Sequence, residues 1–311
     1  MQSVFLTTLL ILSACVAGLA QKISITIDDL PLISTDNSNE NQKYIIERLI
    51  SHGKHHNAFL TGFVNEGKLF KNAAQTDLKK EMLKQWLTNG FELGNHGYDH
   101  LNYDKFDTTT YFNDILKGEK ISKQLSREYN LPYEYYRHPY LHAGDTKEKE
   151  IALKKFLKRN GYKVAPVTVD NSDWIFARGY DLAIDRKDLK MKQKIADAYV
   201  PYMISKLKYY EGRSVTLFDR KINQVLLIHA NRINADLLGD LIAVIKKEGY
   251  SLDSLSEVLD DEAYQTDDQL AKPWGISWVQ RWARNKNMPA DFYRDEPVCP
   301  QFVLDYTGLS E

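Results

Sequence analysis

Two histidines and two neighbouring aspartates in this sequence have the side-chain types and spacing of a metal-assisted catalytic centre. His96 and His100 are four residues apart, a spacing that places two imidazoles on one side of a helical turn. Asp28 and Asp29 lie together at the end of an apolar run. Two imidazoles and one carboxylate make three protein ligands and leave a coordination position open, which is typical of catalytic zinc sites.

Each of these patterns also has a purely structural explanation. A histidine pair at this spacing occurs on solvated helix faces, and paired acids at a strand end often cap the next helix or line a turn. Adjacent residues at a strand end point in different directions, so one aspartate could bind a metal while the other acts on a water. For the individual motifs both explanations stay open.

Further polar side chains follow the later strand-like runs. Arg137 to Tyr140 end the fourth run, Asp173 and Trp174 follow the fifth, and His229 ends the sixth. Each could belong to a turn or to the core with its polar atoms satisfied. In a parallel barrel, however, the carboxyl ends of all strands open onto one face, where active sites are built. This convergence is stronger evidence for a site than any single motif.

The elements that would position these residues alternate between strand-like and helix-like segments. Strand-like runs occupy residues 22–28, 57–64, 91–97, 133–140, 162–170 and 224–230. Amphipathic stretches long enough for three or more helical turns occupy residues 40–53, 71–88, 108–129, 146–160, 188–211 and 233–248. Such alternation predicts an α/β fold with a parallel sheet or a (β/α) barrel.

The first strand-like run favours the barrel. Ile23, Ile25 and Ile27 alternate with Ser24 and Thr26, so one face of the strand would meet helices and the other a more polar interior. Six or seven strand–helix units can be counted, which is fewer than in an eightfold barrel.

The chain has no Gly/Ser/Pro-rich linker, which predicts a single domain. We expect the barrel to occupy residues 21–259, with a long, lysine-rich excursion at residues 172–222. Residues 260–311 would form a C-terminal extension that packs on the barrel.

Residues 1–20 carry no charged side chain and have the pattern of a secretory signal peptide with small residues before the cut. Two alternatives stay open: a lipoprotein anchored at Cys15, or an uncleaved anchor. We therefore expect an exported protein, secreted or periplasmic. Cleavage after Ala20 would leave Cys299 as the single cysteine, which excludes an intramolecular disulfide.

Composition excludes several classes of protein. The chain has 311 residues, with 41 basic and 42 acidic side chains, and this balance argues against a nucleic-acid-binding protein. Hydrophobic residues make up 43% and charged residues 27% of the sequence, the mix of an ordinary globular protein rather than of a disordered one.

Taken together, the segments TIDD, NHGYDH, RHPY, DNSDW and LLIH occur in this order between residues 24 and 230. This set resembles the five motifs of the polysaccharide deacetylase family, the NodB-homology domain of the fourth carbohydrate esterase family. The resemblance implies a distorted (β/α) barrel of about seven parallel strands, which agrees with the count above.

The resemblance also implies roles for the first three motifs. Asp29, His96 and His100 would bind a divalent metal, usually zinc (Zn²⁺) and sometimes cobalt or nickel. Asp28 would be the general base, and Arg137 would tether it.

For the remaining positions the resemblance implies a leaving-group acid and a substrate pocket. His229 would be the general acid, with Asp173 to orient and tune it. The backbone N–H of Tyr140 would stabilise the oxyanion, and Trp174 with Leu227 would wall the pocket for the acetyl methyl group.

The resemblance predicts a hydrolase that removes N-acetyl groups from a glycan such as a chitin-like oligosaccharide or peptidoglycan, with release of acetate. The alternatives are an O-deacetylase of acetylated xylan, an amidase on a smaller C–N substrate, and a non-catalytic glycan-binding module. No stable protein partner is inferred. In many family members glycine follows the tyrosine of the third motif, whereas here Leu141 and His142 follow Tyr140 and would reshape the groove.

Overall fold

The computed structural model describes residues 20–311, whose strands assemble into one parallel sheet. The strands are β1 (Gln21–Leu30), β2 (Leu60–Val64), β3 (Glu92–Asn95), β4 (Tyr135–Tyr136), β5 (Lys163–Val164), β6 (Gln224–His229) and β7 (Tyr250–Leu252). Their order is β5-β4-β3-β2-β1-β6, and β7 pairs with β1 off this path. Because every pair is parallel, all carboxyl ends of the strands lie on one face of the molecule.

The sheet closes into a distorted ring through the residues that follow β5. Thr168 and Val169 donate their backbone N–H groups to the Val225 carbonyl of β6, at 3.1 and 3.0 Å. The single long strand expected over residues 162–170 is therefore wrong. Pro166 lacks an N–H, and around it the chain leaves β4 and joins β6. The α/β fold with a distorted (β/α) barrel of about seven parallel strands is confirmed.

Helices surround this ring. They are α1 (Asn39–His56), α2 (Gly67–Phe70), α3 (Thr76–Thr88), α4 (Thr108–Lys117), α5 (Lys120–Glu128), α6 (Lys147–Arg159), α7 (Asp173–Asp185), α8 (Leu189–Phe218), α9 (Arg232–Lys247), α10 (Leu255–Leu259), α11 (Trp278–Asn285) and α12 (Gln301–Thr307). Ser38, Asp107 and Thr146 begin α1, α4 and α6, because each side chain accepts a backbone N–H of the first turn.

The two faces of β1 meet different surroundings, as the alternation of its residues predicts. Ile23, Ile25 and Ile27 are buried in the main apolar core together with side chains of α1 and α9. Thr26 and Asp28, on the other face, are also buried, but both accept hydrogen bonds from Arg137 inside the ring. The strand thus separates an apolar outer layer from a polar interior.

The amino ends of the strands are closed by an apolar cluster. Tyr135 and Val225, at the amino ends of β4 and β6, pack with Leu255 and Val258 of α10, and Phe63 of β2 belongs to the same buried cluster. This end of the ring is therefore filled with side chains, while polar residues occupy the opposite end.

The excursion at residues 172–222 consists mainly of α7 and α8. These helices pack against each other and against α9, on the outside of the ring. Tyr199 of α8 donates a 2.5 Å hydrogen bond to Asn234 of α9, which joins the two layers.

Residues 260–311 contact the seam where the ring closes. The Trp278 backbone N–H donates to the Val167 carbonyl at 2.7 Å, and the Ser277 hydroxyl donates to the Thr168 carbonyl at 2.8 Å. Trp278 and Trp282 are buried in this contact. Cys299 is also buried and forms no disulfide with another described residue.

Among residues 20–311, no helix combines the length and the apolar character needed to cross a membrane. The predicted signal peptide, apart from Ala20, and the alternative anchor at Cys15 lie outside the described residues.

Candidate metal and catalytic site

The two aspartates at the end of β1 reach the same pocket because the strand is irregular there. The pairing register between β1 and β2 shifts between Ile27 and Leu30, and Asp29 adopts a left-handed backbone with φ of 70°. Aspartate tolerates this conformation better than most residues. The turn brings Asp29 Oδ1 to 3.9 Å from His100 Nε2, while Asp28 Oδ2 lies 3.7 Å from His96 Nε2.

The two histidines come from an irregular loop after β3, so the expected helical turn around them is wrong. His100 has φ of 54°, and the Asp114 carboxylate accepts the N–H groups of Tyr98 and Asp99, which holds the loop in shape. His96 Nδ1 lies 2.8 Å from the Arg137 carbonyl oxygen. This contact makes Nδ1 the donor and leaves Nε2 with a lone pair for a ligand.

Asp29, His96 and His100 form the candidate metal centre. One ligand atom from each lies within 4.8 Å of the others. Burial lowers the pKa of both histidines to about 3, so each imidazole is neutral, the form that binds metals. Burial alone would raise the pKa of Asp29, but Lys68 and the histidines outweigh it and lower that pKa. This set of two nitrogens and one ionised oxygen fits a divalent metal such as zinc.

Asp28 lies beside this centre and is bound by a buried arginine. Arg137 Nη1 lies 3.1 and 3.2 Å from the two carboxylate oxygens of Asp28. The same guanidinium donates to Thr26 Oγ1 at 2.8 Å and to the Ala165 carbonyl at 2.9 Å, and it stacks over the ring of Phe63. Burial raises the pKa of Asp28, and Arg137 opposes this shift. The arrangement fixes one carboxylate in place.

His229 forms a second carboxylate–imidazole pair across the ring. Asp173, the first residue of α7, lies with Oδ1 2.6 Å from His229 Nδ1. Its Oδ2 accepts the His229 backbone N–H at 2.9 Å and Nδ2 of Asn234 at 2.9 Å. Burial by itself would lower the pKa of His229, but Asp173 raises it to about 9. The imidazole is therefore protonated at neutral pH, with Nδ1 donating to Asp173.

Three further residues assigned from the sequence lie near these groups in different settings. Tyr140 is exposed, and its ring centroid is 4.4 Å from that of His100. Leu227 is buried on β6, two residues before His229 and on the same face of the strand. Trp174 is 44% exposed and follows Asp173 in α7. A shared acetyl pocket between Trp174 and Leu227 stays a prediction.

Lys68 is a charged residue of the site that the sequence analysis missed. Its Nζ lies 3.0 Å from Asp29 Oδ1 and donates to the Asp29 carbonyl at 3.3 Å. The signal was present, because Lys68 follows β2 by four residues and the other site residues also follow strands. Thr26 and Asn234, which hold Arg137 and Asp173, carry no comparable signal in the sequence.

Comparison with known proteins gives one family match. Residues 17–164 match the family model described as polysaccharide deacetylase. This span contains the candidate metal centre, Asp28 and Arg137, but it ends before Asp173 and His229. None of the curated proteins matches the chain.

Solved structures with a similar fold are also found. The polysaccharide deacetylase Bc1974 from Bacillus cereus is 18% identical, with a TM-score of 0.52 that covers 75% of this chain and 91% of that one. BA3943 from Bacillus anthracis, described as a CE4 family pseudoenzyme, is 15% identical, with a TM-score of 0.50 over 78% of this chain and 66% of that one. At these identities the likeness establishes the fold, so activity has to be argued from this chain's own side chains.

Proposed function

We propose that this chain is a metal-dependent hydrolase that removes N-acetyl groups from an acetylated glycan. The match of residues 17–164 to the polysaccharide deacetylase family model supports this proposal. One observation carries the proposal. The Asp29, His96 and His100 ligand atoms gather within 4.8 Å beside Asp28, which is bound to Arg137. A protonated His229 completes the set of groups that amide hydrolysis needs.

Asp29, His96 and His100 are the residues that would hold the metal. A divalent ion bound there supplies Lewis-acid chemistry, since it polarises a carbonyl oxygen and makes a water more acidic. We favour zinc because two imidazoles and one carboxylate are ligands that it accepts, and cobalt or nickel would suit the same donors.

Asp28 would act as the general base. Its carboxylate lies 3.7 Å from His96 Nε2, so it faces the metal centre, and Arg137 keeps it oriented. Burial raises its pKa, which makes it a stronger base than an exposed aspartate. We propose that it takes the proton of the attacking water.

His229 would act as the general acid. Its Nδ1 is engaged by Asp173, so the proton on Nε2 is the one available to the leaving amine. The Tyr140 N–H would stabilise the oxyanion, and Trp174 with Leu227 would wall the acetyl pocket. The products would be acetate and a free amino sugar.

The alternatives use the same groups on a different bond or do not use them at all. An O-deacetylase of acetylated xylan or an amidase would need the same base and metal ligands. A glycan-binding module without turnover would need none of the contacts that orient Asp28 and His229. The presence of both oriented groups supports the enzyme over the binding module.

Acetate release decides among these functions. The purified chain would be incubated with chito-oligosaccharides, peptidoglycan and acetylated xylan, before and after chelation and after zinc is restored. We expect release from an N-acetylated glycan that chelation abolishes and zinc restores. Full activity in a metal-free preparation would refute the metal centre, and release from xylan alone would establish the O-deacetylase.

We also propose that the protein is exported, from the apolar segment at residues 1–20. N-terminal sequencing of the protein from the native host is the test. A mature chain that starts at Gln21 supports a cleaved signal peptide, and a lipid on Cys15 supports the lipoprotein.

A further inference from the structure

A groove of about 490 Å³ lies beside the candidate metal centre. One wall is the chain that leaves β1, residues 31–34, and the other is formed by α2 and the segment that follows it. Both walls follow the carboxyl ends of neighbouring strands, so the groove opens on the same face as Asp29. Lys68 lies in both places, since it lines the groove and contacts Asp29.

The charge of this groove is one-sided. Lys68, Lys71 and Lys79 line it, and its lining contains neither aspartate nor glutamate. Asp29 is the ion-pair partner of Lys68. Among residues 20–311, no carboxylate oxygen lies within 4.0 Å of the Nζ atom of Lys71 or Lys79, so neither lysine forms an ion pair there.

The positions of the lysines keep their charges together. Lys79 is only 8% exposed, and its Nζ donates to the Lys68 carbonyl at 2.9 Å, so it cannot turn out into solvent without breaking this bond. Lys71 is exposed and follows α2 directly. Gathering cations at a partly buried surface is unfavourable unless an anion compensates them.

One residue of the groove lining has a buried polar atom without a hydrogen-bond partner. Gln42 lines it and is fully buried. Its Nε2 donates to the Asn37 carbonyl at 2.7 Å, whereas its Oε1 has no hydrogen-bond partner among the described residues. This oxygen is enclosed in the structure, so a sugar hydroxyl would satisfy it once the Gln42 side chain turns towards the groove.

We propose that this groove binds an acidic sugar of the substrate, next to the sugar whose acetyl group is removed. Lys68, Lys71 and Lys79 would face its carboxylate, and Gln42 would accept a hydroxyl. The inference rests on the proposed function for the position of the acetylated sugar. It narrows the substrate class from acetylated glycans in general to acetylated glycans that carry carboxylate groups.

The test compares two ligands that differ only at the carboxylate positions. The full chain is titrated calorimetrically with a hyaluronan oligosaccharide, in which N-acetylglucosamine alternates with glucuronate, and with the same oligosaccharide after its carboxylates are reduced to alcohols. We expect the acidic ligand to bind about tenfold more tightly at low salt, with the difference shrinking as salt screens the charges. Equal affinity for the two ligands at low salt overturns the proposal.

Variants separate the groove from general surface charge. Lys71→Gln should weaken binding of the acidic ligand about threefold and leave the reduced ligand unaffected, as expected for one partly screened ion pair. Lys43→Gln is the matched control, because it removes the same charge from an exposed position of α1 outside the groove lining. Equal effects of Lys71→Gln and Lys43→Gln would also overturn the proposal.

A third variant covers the buried lysine. Lys79→Met should weaken acidic-ligand binding more than Lys71→Gln does, and thermal unfolding identifies any loss of folding. If Lys79→Met stays folded and binds the acidic ligand as the parent does, the groove is not its site.

The proposed function and the assignment of the groove to an acidic sugar would fail with different results. If acetate is never released but the charge preference persists, the proposed function is wrong and the groove stands. If acetate is released from acidic and reduced oligosaccharides with the same kcat/KM and the two bind equally, the function stands and the groove assignment is wrong.

Discussion

The two ends of the barrel are built from opposite materials. The end at the amino termini of the strands is filled by Tyr135, Val225 and the α10 side chains Leu255 and Val258. The end at the carboxyl termini is polar, charged and conformationally strained. The molecule thus separates the groups that stabilise the fold from the groups that would take part in the reaction. Only the stabilising groups can all adopt their preferred backbone conformations and environments.

Backbone strain marks the carboxyl end. Asp29, His100, Tyr140 and Leu141 all have positive φ, between 54° and 70°. For Leu141 this conformation is unfavourable, and a side chain of its size would ordinarily avoid it. Such strain persists where the surrounding structure holds a residue in place, and it clusters at functional sites.

Arg137 lies at the boundary between the two ends. Its guanidinium stacks on Phe63 of the apolar cluster, 4.6 Å from the ring centroid, and binds Asp28 of the site. This one side chain therefore links the fold to the chemistry, and variants on either side of it should separate the two.

The largest effect on activity is expected at the carboxyl end. Asp28→Asn removes the base but keeps the shape of the side chain, so turnover should fall by about 10²–10⁴-fold. Metal content should stay close to that of the parent, because Asp29, His96 and His100 are untouched. Thermal stability should fall, because the buried Arg137 loses its charged partner. Acetate release measures turnover, and metal analysis measures the metal content. Retained turnover would show that Asp28 is not the base.

A substitution at the boundary should affect both ends. Arg137→Met leaves Asp28 as a buried charge without its partner, which costs about 3–5 kcal/mol of unfolding free energy. Turnover should fall as well, since Asp28 loses its orientation. Denaturant unfolding and acetate release are the measurements, and a change in one property without the other would show that Arg137 does not couple them.

A substitution at the apolar end of the barrel should affect stability alone. Leu255→Ala removes a fully buried side chain from the α10 contact and should lower the free energy of unfolding by about 2–5 kcal/mol. In protein that is still folded, kcat/KM should match that of the parent. A large loss of kcat/KM would contradict the separation of the two ends.

The last prediction concerns the pH dependence of stability. The His229 pKa is raised from 6.5 to about 9 in the folded state, so its pairing with Asp173 stabilises the fold fully below pH 6.5. That contribution is lost as pH rises through about 9. In Asp173→Asn the His229 pKa should fall towards its ordinary value, and unfolding between pH 7 and 10 should become less pH-dependent. NMR titration of the imidazole checks the shift, and an unchanged pKa would exclude Asp173 as its cause.

The sequence predicts the fold because its signals are local. Strand–helix alternation and the residues of β1 require only periodicity, and the ends of parallel strands must meet on one face. That rule is sufficient to bring residues as distant as Asp28 and His229 to the same end of the barrel.

Other features depend on contacts that no local pattern encodes. The left-handed turn at Asp29 and the loop that carries His100 result from packing against neighbouring segments, so the helical turn expected there was wrong. Pro166 disfavours a continuous strand, but the switch of partners around it depends on β6, which lies about sixty residues further along the chain. Lys68 was overlooked although it follows a strand, because a single lysine has many ordinary roles.

The seam of the ring has a consequence for biosynthesis. The Ser277 hydroxyl donates a hydrogen bond to the carbonyl of Thr168, which lies 109 residues earlier in the sequence. The Trp278 backbone N–H donates to the carbonyl of the neighbouring Val167. Ser277 and Trp278 follow β7 in the sequence, so they are synthesised after β1 to β7. A nascent chain would therefore remain loosely joined at this point until Ser277 and Trp278 have been translated. Truncation before Ser277 should leave the ring weakly closed here even though β1 to β7 are all present.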